Sequence, residues 1–145
     1  MPLFVLSPAS LAHSALFAGY YTYLSANVVA LRKKENQVDS GKDVTPGTAL
    51  HRAVRAHANF AEYTPFTFVL LFLAELNGAP TKYVHAAYVT LFVSRVAAGL
   101  GLNCAKPGNA ARVVGFLGTI AVMVGSGLYN FGLGYEPLKS FLGIQ

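Results

Sequence analysis

Long runs without charge alternate with short polar segments along this chain, and the pattern predicts four helices. The first uncharged run covers residues 8–31 and ends at the basic group 32–34. A second helix is expected over residues 49–78, where a polar first half continues into an apolar second half. The third and fourth are expected over residues 82–103 and 112–135. Runs of this length are typical of helices that cross a membrane.

The composition supports a membrane location. Hydrophobic residues make up 54% of the 145 residues and charged residues only 12%, against about 25% charged in an average soluble domain. A hydrocarbon core of about 30 Å needs about 20 apolar residues per helix, so the chain accommodates four spans and short loops. We therefore predict one domain over residues 1–145, an all-α, integral membrane four-helix transmembrane bundle.

The first helix is expected to remain in the mature protein. A secretory signal peptide has a basic segment ahead of an apolar stretch of about 7–15 residues. Here no lysine or arginine precedes Arg32, and the apolar run is longer than that. With four spans, the loops 32–48 and 103–112 lie on one side of the membrane. These two loops carry most of the basic residues, namely Arg32, Lys33, Lys34, Lys42, Lys106 and Arg112.

This distribution of charge predicts the orientation. Basic loops face the cytoplasm, so both termini are expected on the opposite side. The net charge of +5 is then a feature of membrane topology, and we expect no nucleic-acid partner. The segment 35–48 is polar and contains glycine and proline, which predicts a mobile cytoplasmic loop.

A polar motif, RAVRAHANFAEYTP, occupies residues 52–65 at the start of the second helix. At about 100° per residue, most of its polar side chains share an arc of about 100°, whereas His57 points to the opposite side. The shared stripe consists of Arg52, Arg55, Asn59, Glu62 and Tyr63. A charged residue at the centre of a membrane helix costs about 2.5–3.5 kcal/mol on insertion scales, so the stripe must face protein, water or a ligand.

Two interpretations of this stripe are open from the residues alone. One is an interhelical network of ion pairs, for example between Arg55 and Glu62. The other is a ligand site, in which arginines bind carboxylates, Glu62 accepts an ammonium group, and Asn59 and Tyr63 supply further hydrogen bonds. A small zwitterion with additional carboxylates would suit such a site. Arg112, at the start of the fourth helix, lies on the same side of the membrane as Arg55, so two separate helices supply cations to one membrane face.

The pattern RxxRAHxNFxEYxP resembles the signature of the MAPEG family, the membrane-associated proteins in eicosanoid and glutathione metabolism. The resemblance covers essentially the whole chain, because the number of spans, the length and the position of the motif agree together. It implies a homotrimer that binds glutathione between neighbouring subunits. The glutathione-binding positions that it implies are Arg52, Arg55, His57, Asn59, Glu62, Tyr63 and Arg95, and the thiolate-stabilising catalytic position is Arg112.

The function that the resemblance implies is that of a membrane-bound glutathione transferase. Such an enzyme activates the glutathione thiol against lipophilic electrophiles, and against lipid hydroperoxides if it also acts as a peroxidase. The leukotriene-forming members carry tyrosines after the third-helix arginine, where this chain has Ala98 and Leu102. The chain therefore resembles the broad, bacterial-like branch of the family more than a dedicated eicosanoid enzyme.

The resemblance also implies a location and a set of partners. We expect a multi-pass protein of the endoplasmic reticulum if the source is eukaryotic, or of the inner membrane if it is bacterial, with the site facing the cytoplasm. Its partners would be glutathione, a lipophilic small-molecule substrate and membrane lipid. Two other functions are open: a non-catalytic lipid-binding or scaffolding protein of the same fold, and a small transporter or channel subunit.

The remaining polar residues give weaker expectations. Cys104 is the only cysteine, which excludes an intrachain disulfide. The four histidines lack metal-ligand spacing, so we expect no metal. Glu75 is expected to be solvated beside Asn77, and Pro65 to bend the second helix. Close helix packing is expected at the glycines of the fourth helix, Gly115, Gly118, Gly125, Gly127, Gly132 and Gly134.

Overall fold

The computed structural model describes residues 6–36, 44–104 and 108–143, which form an all-α bundle of four helices. Their bounds are α1 Pro8–Lys34, α2 Ala49–Leu76, α3 Thr81–Asn103 and α4 Ala110–Leu142. All four predicted helices are present, and α4 continues beyond the predicted end at residue 135. Part of the loop predicted over residues 35–48 lies outside the described residues.

Local sequence signals account for the helix ends. Pro8 begins α1, where its missing N–H would have no helical acceptor. Side-chain caps begin α2 and α4: Thr48 Oγ1 accepts a hydrogen bond from the His51 N–H at 3.1 Å, and Asn109 Oδ1 accepts one from the Arg112 N–H at 3.0 Å. Helix α2 is continuous through Pro65, so the bend expected there stays a prediction.

Aromatic packing holds α1, α2 and α3 together. The ring of Phe17 on α1 lies 5.5 Å from that of Phe68 on α2 and 5.5 Å from that of Phe92 on α3, edge to face in both pairs. Tyr88 and Leu91 are fully buried in the same core. Edge-to-face aromatic pairs contribute about 0.5–1.5 kcal/mol beyond the area they bury. These contacts make three helices into a scaffold against which α4 packs.

Helix α4 approaches α3 at two of the glycines expected to pack closely. A methyl group added at Gly115 would lie 2.5 Å from the Ser94 carbonyl oxygen, and one added at Gly118 would collide with the Ser94 hydroxyl. The expectation is therefore confirmed for these two. It is wrong within this chain for Gly125, Gly127, Gly132 and Gly134, where an added methyl group would meet no atom within 4 Å.

Glu75 is buried, and the prediction of a solvated side chain is wrong. Its exposed fraction is only 5%, and its carboxylate accepts hydrogen bonds from the backbone N–H groups of Ala9 and Ser10 at 2.7 and 2.9 Å. The Ser10 hydroxyl donates to the same carboxylate at 2.6 Å and lies 2.8 Å from the Tyr88 hydroxyl. The first turn of α1 has N–H groups without helical acceptors and a positive dipole end, so a carboxylate from α2 is stabilised there.

Two of the helices in the described part of the chain, α3 and α4, are long and apolar enough to cross a membrane by length and composition. Helices α1 and α2 do not meet that criterion. The polar stripe of α2 contributes to this, since it places charge in a helix of sufficient length. Membrane crossing by α1 and α2 therefore stays a prediction.

Candidate functional site

The polar stripe of α2 forms one wall of a cleft between α2, α3 and α4. Because Arg55, Asn59, Glu62 and Tyr63 recur at helical spacing, they face the cleft together. Arg95 on α3 and Arg112 at the start of α4 complete its polar lining. The cleft has a volume of about 440 Å³ and brings together six of the eight side chains that the sequence predicted for the site.

Arg95 is the most deeply buried charged residue of the cleft. Its exposed fraction is 2%, and its guanidinium carbon lies 5.4 Å from the centre of the Tyr63 ring. One nitrogen, Nη1, donates a long hydrogen bond of 3.4 Å to the Asn59 carbonyl oxygen. In the described part of the chain, Nε and Nη2 have no hydrogen-bond partner. Buried donors without acceptors are costly, so these two nitrogens can still donate to an acceptor that enters the cleft.

The alternative of an ion pair between Arg55 and Glu62 is wrong. Both side chains are exposed, and within the described ranges no ion pair joins them. The arginine and the carboxylate are therefore available to opposite charges on a ligand. This favours the interpretation of the stripe as a binding site over its interpretation as interhelical packing.

Arg112 lies in the first turn of α4, and its side chain is exposed at the mouth of the cleft. Phe116, one turn further along α4, meets Tyr63 edge to face, with 5.9 Å between the ring centres. The Arg112 guanidinium and the α2 stripe therefore line the same cavity from different helices. A ligand bound by the stripe would be within reach of this cation.

The structure places Arg52 outside the cleft. Its Nε donates to the Asn103 carbonyl oxygen at 3.1 Å, and its Nη1 donates to the Gly47 carbonyl oxygen at 2.7 Å. Arg52 therefore ties the start of α2 to the end of α3. The helical period placed Arg52 on the stripe, but it could not show that backbone carbonyls accept hydrogen bonds from its Nε and Nη1.

His57 also lies outside the cleft, on the side of α2 that faces α1. Its Nε2 is 3.0 Å from the Ser25 hydroxyl oxygen, and its ring stacks on Tyr21 with 4.8 Å between ring centres. This agrees with the helical arc, which set His57 apart from the stripe. Within one chain, His57 does not belong to the group that lines the cleft.

Part of the cleft lining is apolar. Ala98 and Leu102 on α3, which stand where the resemblance places tyrosines in leukotriene-forming members, both line the cleft. Val113, Phe116 and Leu117 on α4 also belong to this apolar lining, with exposed fractions of 49%, 43% and 59%. Sequence reasoning missed these three, although Phe116 lies four residues, about one helical turn, after Arg112. The lining of the cleft thus combines polar and apolar side chains.

The described residues contain no group of three or more His, Cys, Asp or Glu side chains that could hold a metal ion. The polar lining of the cleft is instead made of guanidinium groups, one carboxylate, one amide and one phenol. Groups of this kind bind organic anions and zwitterions by charge-assisted hydrogen bonds. A metal-free site stays a prediction.

Comparison with known proteins supports the family resemblance. The model of the MAPEG family matches residues 10–132, which include α2, α3, most of α1 and α4, and every residue of the cleft. The chain is also 40% identical over 47 residues to the Inner membrane protein YecN of Escherichia coli strain K12, and to the protein of the same name in Escherichia coli O6:H1. That match covers 32% of this chain and 36% of each relative, about a third of their length. From the extent of the family match and the four-helix fold, we conclude that this chain is a membrane protein of the MAPEG family.

Proposed function

We propose that this protein is a membrane-bound glutathione transferase. The observation that carries the proposal is the cleft itself, where three guanidinium groups from three helices surround one carboxylate and one amide. Arg95 adds two buried donors without partners in the described residues. A cavity with this excess of cationic donors favours a ligand that carries more than one carboxylate.

Glutathione matches this lining in charge and size. It has two carboxylates, one ammonium group, two peptide groups and a thiol, so its net charge at neutral pH is negative. Arg55 and Arg95 would bind the carboxylates, Glu62 the ammonium group, and Asn59 the peptide groups. The cleft volume of about 440 Å³ lies within the range of about 300–1,000 Å³ typical of small-molecule sites.

Arg112 would supply the chemistry. A free thiol has a pKa of about 8.5 and is mostly protonated at neutral pH, whereas the thiolate is the nucleophile. A guanidinium beside the sulfur favours the thiolate, whose proton passes to water. The sulfur then attacks an electrophilic carbon, a carbon–sulfur bond forms, and a leaving group such as chloride departs with its bonding electrons.

The apolar part of the cleft lining would receive the electrophile. Val113, Phe116 and Leu117 belong to α4, one of the two helices apolar enough to span a membrane. A lipophilic compound dissolved in the bilayer could therefore reach the cleft from the side, while glutathione enters from water. The homotrimer, the cytoplasmic orientation of the site and the action on lipid hydroperoxides are further parts of this proposal. The relatives are named inner membrane proteins, which supports such a location if the source is bacterial.

The test is to purify the protein in detergent and to measure glutathione binding by calorimetry and conjugation with chlorodinitrobenzene. The proposal predicts saturable glutathione binding and turnover well above the uncatalysed rate. Binding without turnover, for this and for other electrophiles, would support the scaffolding alternative. Absence of both binding and turnover would contradict the proposal and favour the alternative of a transporter or channel subunit.

A further inference from the structure

The last turn of α3 is the point to which the other two walls of the cleft are attached. The final carbonyl groups of a helix have no donors within the helix, so they bind side chains, water or other partners. In α3, the Gly101 carbonyl oxygen accepts a hydrogen bond from Asn109 Nδ2 at 2.7 Å. The Asn103 carbonyl oxygen accepts one from Arg52 Nε on α2 at 3.1 Å. Both bonds connect α3 to a neighbouring wall of the cleft.

Asn109 joins α3 directly to the residue proposed for catalysis. While its Nδ2 donates to Gly101, its Oδ1 accepts the backbone N–H of Arg112 at 3.0 Å. The orientation of this amide is determined by its partners, because an N–H group can only donate and a carbonyl oxygen can only accept. A single side chain therefore bridges the end of α3 and the first turn of α4.

Gly101 brings the two backbones into contact at the same place. A Cβ atom added to Gly101 would lie 2.5 Å from the Arg112 backbone nitrogen and 2.7 Å from both its Cα and its Cβ. Any side chain here would push the start of α4 away from α3. The glycine and the Asn109 bridge thus act together on the position of one residue, Arg112.

The backbone anchor matters because the described residues provide no polar partner for the Arg112 guanidinium. In the described part of the chain, its guanidinium makes no hydrogen bond and no ion pair. Its location relative to the α2 stripe therefore depends on where the first turn of α4 is held. An ordinary helix cap would not achieve this, since capping satisfies N–H groups of the same helix without joining a second one.

We propose that Asn109 and Gly101 are positioning residues that hold Arg112 at the mouth of the cleft. The structural part of this proposal concerns the α3–α4 junction alone. Its catalytic part rests on the proposed function and states that the junction places the Arg112 guanidinium beside the glutathione sulfur. Neither residue touches the ligand in this scheme, and both act through Arg112.

The first test compares Asn109→Ser with the wild-type protein. Serine retains the cap of α4 but is too short to bridge to Gly101. We expect kcat to fall roughly tenfold, since a displacement of about 1 Å in a site can cost up to about 10²-fold. Glutathione affinity should stay within about twofold, because the α2 stripe and Arg95 are unchanged.

The pH profile separates positioning from a general loss of folded protein. If Arg112 moves away from the sulfur, the thiolate loses stabilisation, the thiol pKa rises, and the half-maximal rate moves to higher pH. A reduced amount of folded protein would lower the rate without moving the profile. The matched control is Asn77→Ser at the C-terminal end of α2, where the side-chain amide donates to the Leu73 carbonyl oxygen of the same helix. An unchanged kcat and pH profile in Asn109→Ser would overturn the catalytic part.

A second measurement needs no glutathione. Amide hydrogen exchange over residues 110–117 should be several-fold faster in Asn109→Ser than in the wild type, because the bridge that holds this turn is lost. Gly101→Ala should act in the same direction, and Gly132→Ala is its control, since nothing lies within 4 Å of a methyl group there. Unchanged exchange in Asn109→Ser would overturn the structural part. Failure of the wild-type protein to bind glutathione would instead contradict the proposed function. The exchange result would still test whether Asn109 and Gly101 hold the start of α4 against α3.

Discussion

The guanidinium of Arg95 lies over the ring of Tyr63, 5.4 Å from its centre, at the base of a cleft bounded by three helices. The two residues come from α3 and α2, and the arginine is almost completely buried. A cation held over an aromatic face is stabilised by the ring quadrupole, but this contact satisfies none of the N–H donors. Arg95 is thus fixed in place while two of its nitrogens have no acceptor in the described residues.

Replacement of Arg95 by methionine should affect stability and binding in opposite directions. Without ligand, the melting temperature should stay the same or rise, because a buried donor without a partner costs about 1–3 kcal/mol. Glutathione affinity should fall roughly 10- to 100-fold, since hydrogen bonds to charged groups contribute about 1.5–3 kcal/mol. Thermal unfolding and calorimetric titration measure the two effects.

The control for this variant is Arg52→Met. The donors of Arg52 are bound to Asn103 and Gly47, so its loss should lower the melting temperature. If Arg95→Met were as destabilising as Arg52→Met and bound glutathione normally, Arg95 would be a structural residue and not a ligand-binding one.

Replacement of Glu75 by glutamine should destabilise the bundle by about 1–3 kcal/mol. The charged carboxylate accepts two backbone N–H groups and one hydroxyl at the start of α1, and a neutral amide that cannot accept all three leaves buried donors unpaired. Thermal or denaturant unfolding in detergent measures the change. Glu136→Gln is the matched control, because Glu136 is exposed and a surface substitution usually changes stability by less than about 0.5 kcal/mol. Equal losses of stability in Glu75→Gln and Glu136→Gln would contradict a stabilising role for the Glu75 carboxylate at the start of α1.

Replacement of Leu102 by tyrosine should tighten glutathione binding. Leu102 is half-buried and lines the cleft. It stands at one of the positions where the family resemblance places a tyrosine in the leukotriene-forming members. One added hydroxyl that donates to the ligand contributes about 0.5–1.5 kcal/mol, which corresponds to roughly two- to tenfold in affinity. Calorimetric titration measures the change. Leu102→Phe is the control, since it adds the ring without the hydroxyl, and equal affinity in both variants would show that the hydroxyl makes no bond.

Much of the fold could be predicted because the hydrophobic pattern is strong. The long, mainly apolar runs mark the helices, and the 3.6-residue period places Arg55, Asn59, Glu62 and Tyr63 on one face. The same period set His57 apart, which the structure confirms by placing it against Ser25. These inferences use only neighbours along one helix, where geometry is known in advance.

What could not be predicted depends on contacts between helices. Glu75 reaches the N-terminus of α1, and Arg52 reaches the C-terminus of α3, and neither partner is near in sequence. The glycines of α4 share a composition but not an environment, since only Gly115 and Gly118 face α3 closely. A periodic pattern shows that residues share a face, and only packing decides what that face meets.

The most direct measurement of the central claim is the ultraviolet absorbance of the glutathione thiolate on binding at neutral pH. The wild-type protein should show a thiolate signal that saturates with glutathione, whereas Arg112→Gln should bind glutathione with similar affinity and show little of that signal. Arg112→Lys, which keeps the charge but not the planar fork, should show an intermediate signal. Bound glutathione that gives no thiolate signal in the wild type, or an equal signal in Arg112→Gln, would contradict the account.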